Sequence, residues 1–207
     1  MMNVREALSV SRTLGFLGPG PVDDHLDHAA GFRAAMLRAS ERLGSIPRRC
    51  VDLGTGGGVP GLPLMLDFPE TSWVFLDSSE KRMVVVQELL GELGLESRCT
   101  IRTGRAEELS RDKALRGWAD VVVARGFAGP AVTAECAAPL LSVGGIFISS
   151  DPPVETDRWS AEGLAEVGLQ ELLRMRDPFR FFVAVQTQLC ADRYPRRVGI
   201  PAKRPLF

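Results

Sequence analysis

The chain has 207 residues, 45% of them hydrophobic and 25% charged, with a formal net charge of −1. That length and apolar content suit one globular domain with a small appendage, and a near-zero charge excludes a global field toward nucleic acid, so any such attraction has to come from a local patch. Apolar runs fall far short of the roughly 20 residues of a membrane helix. Cys50, Cys99, Cys136 and Cys190 lie far apart with no CxxC, which argues against a metal site or disulfide framework and fits a reducing, cytoplasmic setting.

Residues 1–48 read as a helical arm. Asn3 to Leu14 can form a short helix, GFLGPGP (15–21) is a break, and Asp23-Asp24 can cap a second helix through Arg42 or Leu43. His25 and His28, the only histidines, are expected on an exposed polar face of that helix; their spacing is also one that metal ligands on a helix could use. From 49 onward strands and helices alternate. Strands are predicted at 49–53, 72–76, 99–102, 119–124 and 146–149, with helices at about 60–67, 80–93, 106–109, 130–141 and 157–166. Cys50 and Cys99 begin strands and read as small buried hydrophobes. Leu169–Met175 and Phe179–Leu189, joined by Asp177-Pro178, read as a closing hairpin. The expected fold is therefore α/β, a mostly parallel seven-stranded sheet with one antiparallel strand and helices on both faces. The boundaries are 1–48 for the arm, 49–192 for the main domain and 193–207 for a basic tail packed on it.

The organising stretch is CVDLGTGGGVPGLP, Cys50 to Pro63. It reads as a buried strand, a glycine turn over Gly54–Gly58, and a helix opening near Pro60. Such a junction is expected to leave free N–H groups at the positive end of a helix, suited to a nucleotide-like ligand. Gly56 to Gly61 satisfies GxGxxG, a weak signal alone. Asp77, 23 residues past Gly54 at the end of the second strand, adds a carboxylate for ribose hydroxyls; it could also cap the helix that follows. No GK[ST] follows the glycines, which excludes a P-loop nucleotidase, and no acid–base pair suits a dehydrogenase. S-adenosylmethionine (AdoMet) fits Asp52-Leu53-Gly54-Thr55-Gly56 and the antiparallel end of the sheet, the pattern of class I methyltransferases.

VDLGTGGGVPGLPL (51–64), FLDSSEKR (75–82), GRAEEL (104–109), DVVVARGFA (120–128) and RYPRRVGIPAKRPL (193–206) resemble, in order, the glucose-inhibited division protein B family, whose members methylate guanine N7 of small-subunit ribosomal RNA with AdoMet. The resemblance implies that Gly54, Thr55, Gly56 and Gly58 lie under the methionine part of AdoMet, with Asp52 steadying the loop or meeting the methionine ammonium. It implies that Asp77 and Ser78 hold the ribose and that Ala106 and Glu107 flank adenine. Arg125, at the end of the fourth strand, faces the reaction and is the catalytic candidate as well as a cofactor contact; pairing with a carboxylate or capping the strand end is the alternative. Two departures stand out. The family's longer N-terminal helical region, with its Trp-Asn and Asn-Leu-Thr stretch, has no counterpart here, and its Leu-Lys-Gly after the fifth strand is replaced by Ile148-Ser149-Ser150-Asp151. They leave open a paralogue acting on a small molecule or another RNA, or a non-catalytic AdoMet- or RNA-binding module.

Absent motifs agree with the resemblance. Guanine N7 carries an available lone pair and needs no general base. An adenine-N6 enzyme would carry [DN]PP[FY] where this chain reads Ala124-Arg125-Gly126-Phe127, and a cytosine-C5 enzyme would need a nucleophilic cysteine, for which Cys136 on a helix is poorly placed. The tail holds Arg193, Arg196, Arg197, Lys203 and Arg204 with no acidic residue among them, and with Tyr194 interleaved it is expected to lie extended on RNA phosphates. The expected partner is ribosomal RNA or the small subunit, without metal or membrane; a monomer is compatible with the sequence.

Overall fold

A computed structural model describes residues 2–154 and 157–207. The strands are β1 (Arg49–Leu53), β2 (Ser72–Asp77), β3 (Cys99–Thr103), β4 (Ala119–Ala124), β5 (Leu141–Ser150), β6 (Leu169–Met175) and β7 (Phe181–Gln186). They form one sheet of order β3-β2-β1-β4-β5-β7-β6. Among the described residues only β7 runs against its neighbours, β5 and β6; every other pair is parallel, as the alternating pattern predicts. Parallel strands buried on both faces explain the continuous apolar runs. In β4, Val121 and Val123 point to one face, and Val122 and Ala124 to the other.

The helices are α1 (Val4–Thr13), α2 (Val22–Leu43), α3 (Gly61–Asp67), α4 (Glu80–Glu92), α5 (Ala106–Leu109), α6 (Pro130–Ala137), α7 (Ala161–Glu166) and α8 (Ile200–Lys203). One face of the sheet is covered by α1 to α4. Ala7, Leu8, Phe32, Met36, Leu62 and Val86 pack there against Phe75, Val121, Ile146 and Phe181. The other face is covered by α5, α6, α7 and the tail. There Trp159 stacks on Phe182, with centroids 4.1 Å apart and planes 8° from parallel.

Several expected boundaries shift. Pro21 occupies the N-cap of α2 without a side-chain bond, so Asp23 and Asp24 sit inside the first turn, where the dipole favours carboxylates and Asp23 pairs with Arg5. α1 starts at Val4, capped by Asn3, which bonds reciprocally with Glu6. Pro60 caps α3 rather than entering its first turn. α6 stops at Ala137 and a 3₁₀ turn carries the chain to Leu140, so β5 begins at Leu141. Gly144 and Gly145 lie within β5, where pairing jumps from Ala119↔Leu141 to Val121↔Ile146. α7 starts only at its Ser160 cap, and β7 is shorter than its apolar run. Cys50 is fully buried, whereas Cys99, on edge strand β3, is half-buried.

Candidate active site

Register brings the chemistry to one edge of the sheet. Asp52 pairs with Phe75 on β2 and Val123 on β4, so the carboxyl ends of β1, β2 and β4 open together. Asp52 and Asp77 end up near the glycine turn, and Arg125 follows β4. This is the edge at which open α/β sheets bind ligands.

Asp52 is fully buried. Its Oδ2 accepts from Gly61 N–H at 3.0 Å, while Oδ1 has no hydrogen-bond partner among the described residues. Burial raises its pKa to about 7, with the charge of Asp77 adding; the Gly61 bond and Arg125 pull the other way. Asp77 is committed on both oxygens. Oδ2 accepts from Gly56 N–H at 2.8 Å and Oδ1 from Ser79 N–H at 2.8 Å. The cap of α4 is Ser79, bonded to Arg82 N–H, so the capping role considered for Asp77 falls to its neighbour. Each carboxylate oxygen retains a further lone pair for a hydroxyl.

The glycine turn does not present the row of free donors expected at a helix mouth. Gly54 and Thr55 donate to Leu76 O, Gly56 to Asp77, and Gly58 to Thr55 O. The loop is a scaffold that fixes carboxylates. Gly54 has φ +79°, and the Phe127 ring lies 2.6 Å from where a Cβ would stand. At Gly57 a Cβ would stand 2.8 Å from the Leu17 side chain and 2.9 Å from Phe16 O. The break at 15–21 therefore lies directly on the glycine turn.

Beyond the turn is a cleft of about 280 Å³ lined by Asp77, Ser78, Ala106, Glu107, Phe127 and Ala202, among others. Glu107 is buried, yet its carboxyl is held below the ordinary range: burial works against ionisation, but bonds from Gly199 N–H (3.0 Å) and Arg105 (3.3 Å) outweigh it. Cys136 also lines the cleft, with burial pushing its thiol well above the usual range, so a thiolate nucleophile is disfavoured there.

The histidines are not exposed. His25 is 3% exposed. Its Nδ1 lies 2.6 Å from Arg125 Nη2 and its Nε2 lies 3.2 Å from Gly18 O. Arg125 thus pairs with an imidazole, not with a carboxylate. His28 turns elsewhere, its ring centroid 4.9 Å from Phe179, and burial lowers its pKa to about 4. The expected exposed face fails because both histidines continue the apolar stripe of α2, four and seven residues from Ala29, Phe32 and Ala35. His25, Phe127 and the Phe16–Leu17 turn are site residues that sequence reasoning passed over.

The tail is not extended. Gly199 (φ +79°) leads into the short helix α8, which puts Ala202 on the cleft. Arg196 is not available to phosphates. Its guanidinium and backbone N–H all bond the fully buried Glu135, at 2.7 to 2.9 Å. Tyr194 is buried, donating to Glu166 Oε2 at 2.5 Å. Arg193, Arg197, Lys203 and Arg204 remain exposed, Arg193 lying over the Tyr194 ring.

This sheet order, with its single inverted strand and a cleft at the carboxyl ends of β1, β2 and β4, is the class I methyltransferase fold. The antibiotic-resistance methyltransferase Kmr shares it at a TM-score of 0.57 and 17% identity, over 72% of this chain and 91% of that one. Geranyl diphosphate methyltransferase in complex with GPP and sinefungin does so at 0.57 and 12%, over 75% and 78%.

Sequence narrows the class. Residues 35–152 match the family model of rRNA small subunit methyltransferase G, GidB. "Ribosomal RNA small subunit methyltransferase G" of Deinococcus radiodurans is 39% identical over 168 residues, 77% of this chain and 66% of that protein. The protein of that name from Synechococcus sp. is 34% identical over 174 residues, 77% and 70%. The chain belongs to this family, and the matched segment spans about two-thirds of these relatives' length.

Proposed function

We propose that this protein is an AdoMet-dependent methyltransferase of small-subunit ribosomal RNA, with guanine N7 as acceptor. The observation that supports the cofactor is the orphaned Asp52 Oδ1, buried on β1 just before the glycine turn. An unpaired buried carboxylate oxygen is costly, and the ammonium of a bound amino-acid moiety would relieve that cost. Asp77 and Ser78 would hold the ribose, and Ala106 and Glu107 would border adenine in the cleft.

AdoMet, when bound, supplies a sulfonium methyl group. Its methyl would pass to the guanine N7 lone pair, with the methyl–sulfur bond pair remaining on sulfur. N7 bears no proton, so the residues need only place the base in line and exclude water. Arg125 is a donor suited to guanine O6 or a phosphate. A guanidinium on N7 itself would compete for the lone pair and oppose the cationic product. Arg197, Lys203 and Arg204, exposed on the tail that brings Ala202 to the cleft, are proposed to meet RNA phosphates, with Arg196 withdrawn from that role.

The test is methyl transfer from labelled AdoMet to small ribosomal subunits from a strain lacking this enzyme, followed by mapping of N7-methylguanine. One labelled guanine is expected. Label confined to small molecules, or a methyl group on another atom of the RNA, would contradict the proposal.

A further inference from the structure

Arg125 is half-buried, and its short contact is with a neutral acceptor. Both bonds of His25 can form only in one state. The Nδ1 lone pair accepts from Arg125 Nη2, and Nε2–H donates to Gly18 O. Protonation would set an N–H at Nδ1 against the guanidinium N–H and place cation against cation. The surroundings oppose that charge. Burial is the largest influence; Arg125 and Arg12 from α1 also disfavour it and His28 lies near on the same helix, while the bond to Gly18 O and the charge of Asp24 favour it. A carboxylate here would also hold Arg125, but it would neutralise the charge and compete with guanine O6 or phosphate. An imidazole orients the guanidinium and leaves its charge and its other N–H donors free.

We infer that His25 is a positioning residue: it aims Arg125 at the methyl acceptor and, through Gly18, ties that aim to the arm lying on the glycine turn. This rests on Arg125 serving the acceptor as proposed above.

His25→Leu removes the acceptor atom and keeps an apolar volume; His25→Asn returns an acceptor near the Nδ1 position without a titrating ring. With small subunits as substrate, His25→Leu is expected to lower kcat roughly ten- to hundredfold, the scale of a misplaced reactive group, with AdoMet affinity within about twofold by calorimetry. His25→Asn should recover much of kcat and lose the acid limb of the wild-type pH–rate profile. Wild-type kcat and pH profile in His25→Leu would overturn the inference. So would a loss of AdoMet affinity and melting temperature in step with kcat, which marks a merely structural role. Nitrogen NMR reads the pair without turnover: His25 should be the Nε2–H tautomer with a depressed pKa that returns toward the ordinary value in Arg125→Gln. An ordinary pKa in both proteins would overturn the inference even if ribosomal RNA proves not to be the acceptor, whereas an inactive wild type with the NMR shift intact would fault the acceptor reading alone.

Discussion

The two ends of the chain lie on the same rim of the sheet but are held by different physics. The N-terminal arm is part of the core. Leu8, Phe32, Ala35 and Ala39 are each 0% exposed and share one apolar cluster with Val121, Ile146 and Phe181. The C-terminal tail packs Tyr194 and Phe207 on the opposite apolar cluster, but its arginine-rich stretch is also strapped on by polar bonds. Arg196 meets Glu135, Gly199 N–H meets Glu107, Arg111 donates to the carbonyls of Pro195 and Arg193, and Arg116 to those of Tyr194 and Cys190. Apolar burial is non-directional and joins the arm to global stability. Hydrogen bonds are directional, and a strap that lets go regains water, so the tail can open locally. The arm meets Arg125, the residue after β4, through His25; the tail lines the cleft beside Glu107 through Ala202.

Breaking the arm is expected to have the larger effect. Phe32→Ala should lower stability by about 3–5 kcal/mol, read as a shift of the urea midpoint with one cooperative transition. A second, separate transition would show that the arm unfolds on its own. Breaking the strap is the smaller perturbation. A fully buried ion pair that loses one partner costs about 3–5 kcal/mol, but the Arg196 side chain keeps 27% exposure and can rehydrate as the tail peels away. Glu135→Ala should therefore cleave faster within 193–204 under limited trypsin and bind AdoMet at least several-fold more weakly, with the urea midpoint moved less than in Phe32→Ala. A protected tail with unchanged affinity would remove it from the cofactor wall.

The sheet was legible because buried parallel strands are unbroken β-branched runs between glycines, as Ala119–Ala124 shows to the residue. Asp52, the glycine turn and Asp77 were legible as a strand–turn–helix pattern, though the destination of each N–H was not, since loop donors are spent on atoms far away in sequence. The tail misled because an arginine in a proline-rich basic stretch looks solvated. The clue was Glu135, the single charge in an otherwise apolar or small-residue helix, α6, which had to find a partner when buried. His25 misled for the mirror reason: a polar residue on an apolar stripe was assigned by its chemistry and not by its spacing.

The central claim is that the Asp52 carboxylate, buried at the head of the glycine turn, receives the cofactor's ammonium. With its folded pKa raised to about 7, Asp52 favours the protonated fold. Its contribution to stability is fully present below the ordinary carboxylate pKa and is lost as pH rises through 7, the same interval over which the ionised form becomes available to an ammonium. Calorimetric titration of AdoMet into wild type and Asp52→Asn at pH 6 and pH 8 tests this directly. Wild-type affinity is expected to rise with pH; Asp52→Asn should bind at least tenfold more weakly at pH 8, lack the pH dependence, and be no less stable without ligand. Equal affinities in the two proteins at both pH values would contradict the account.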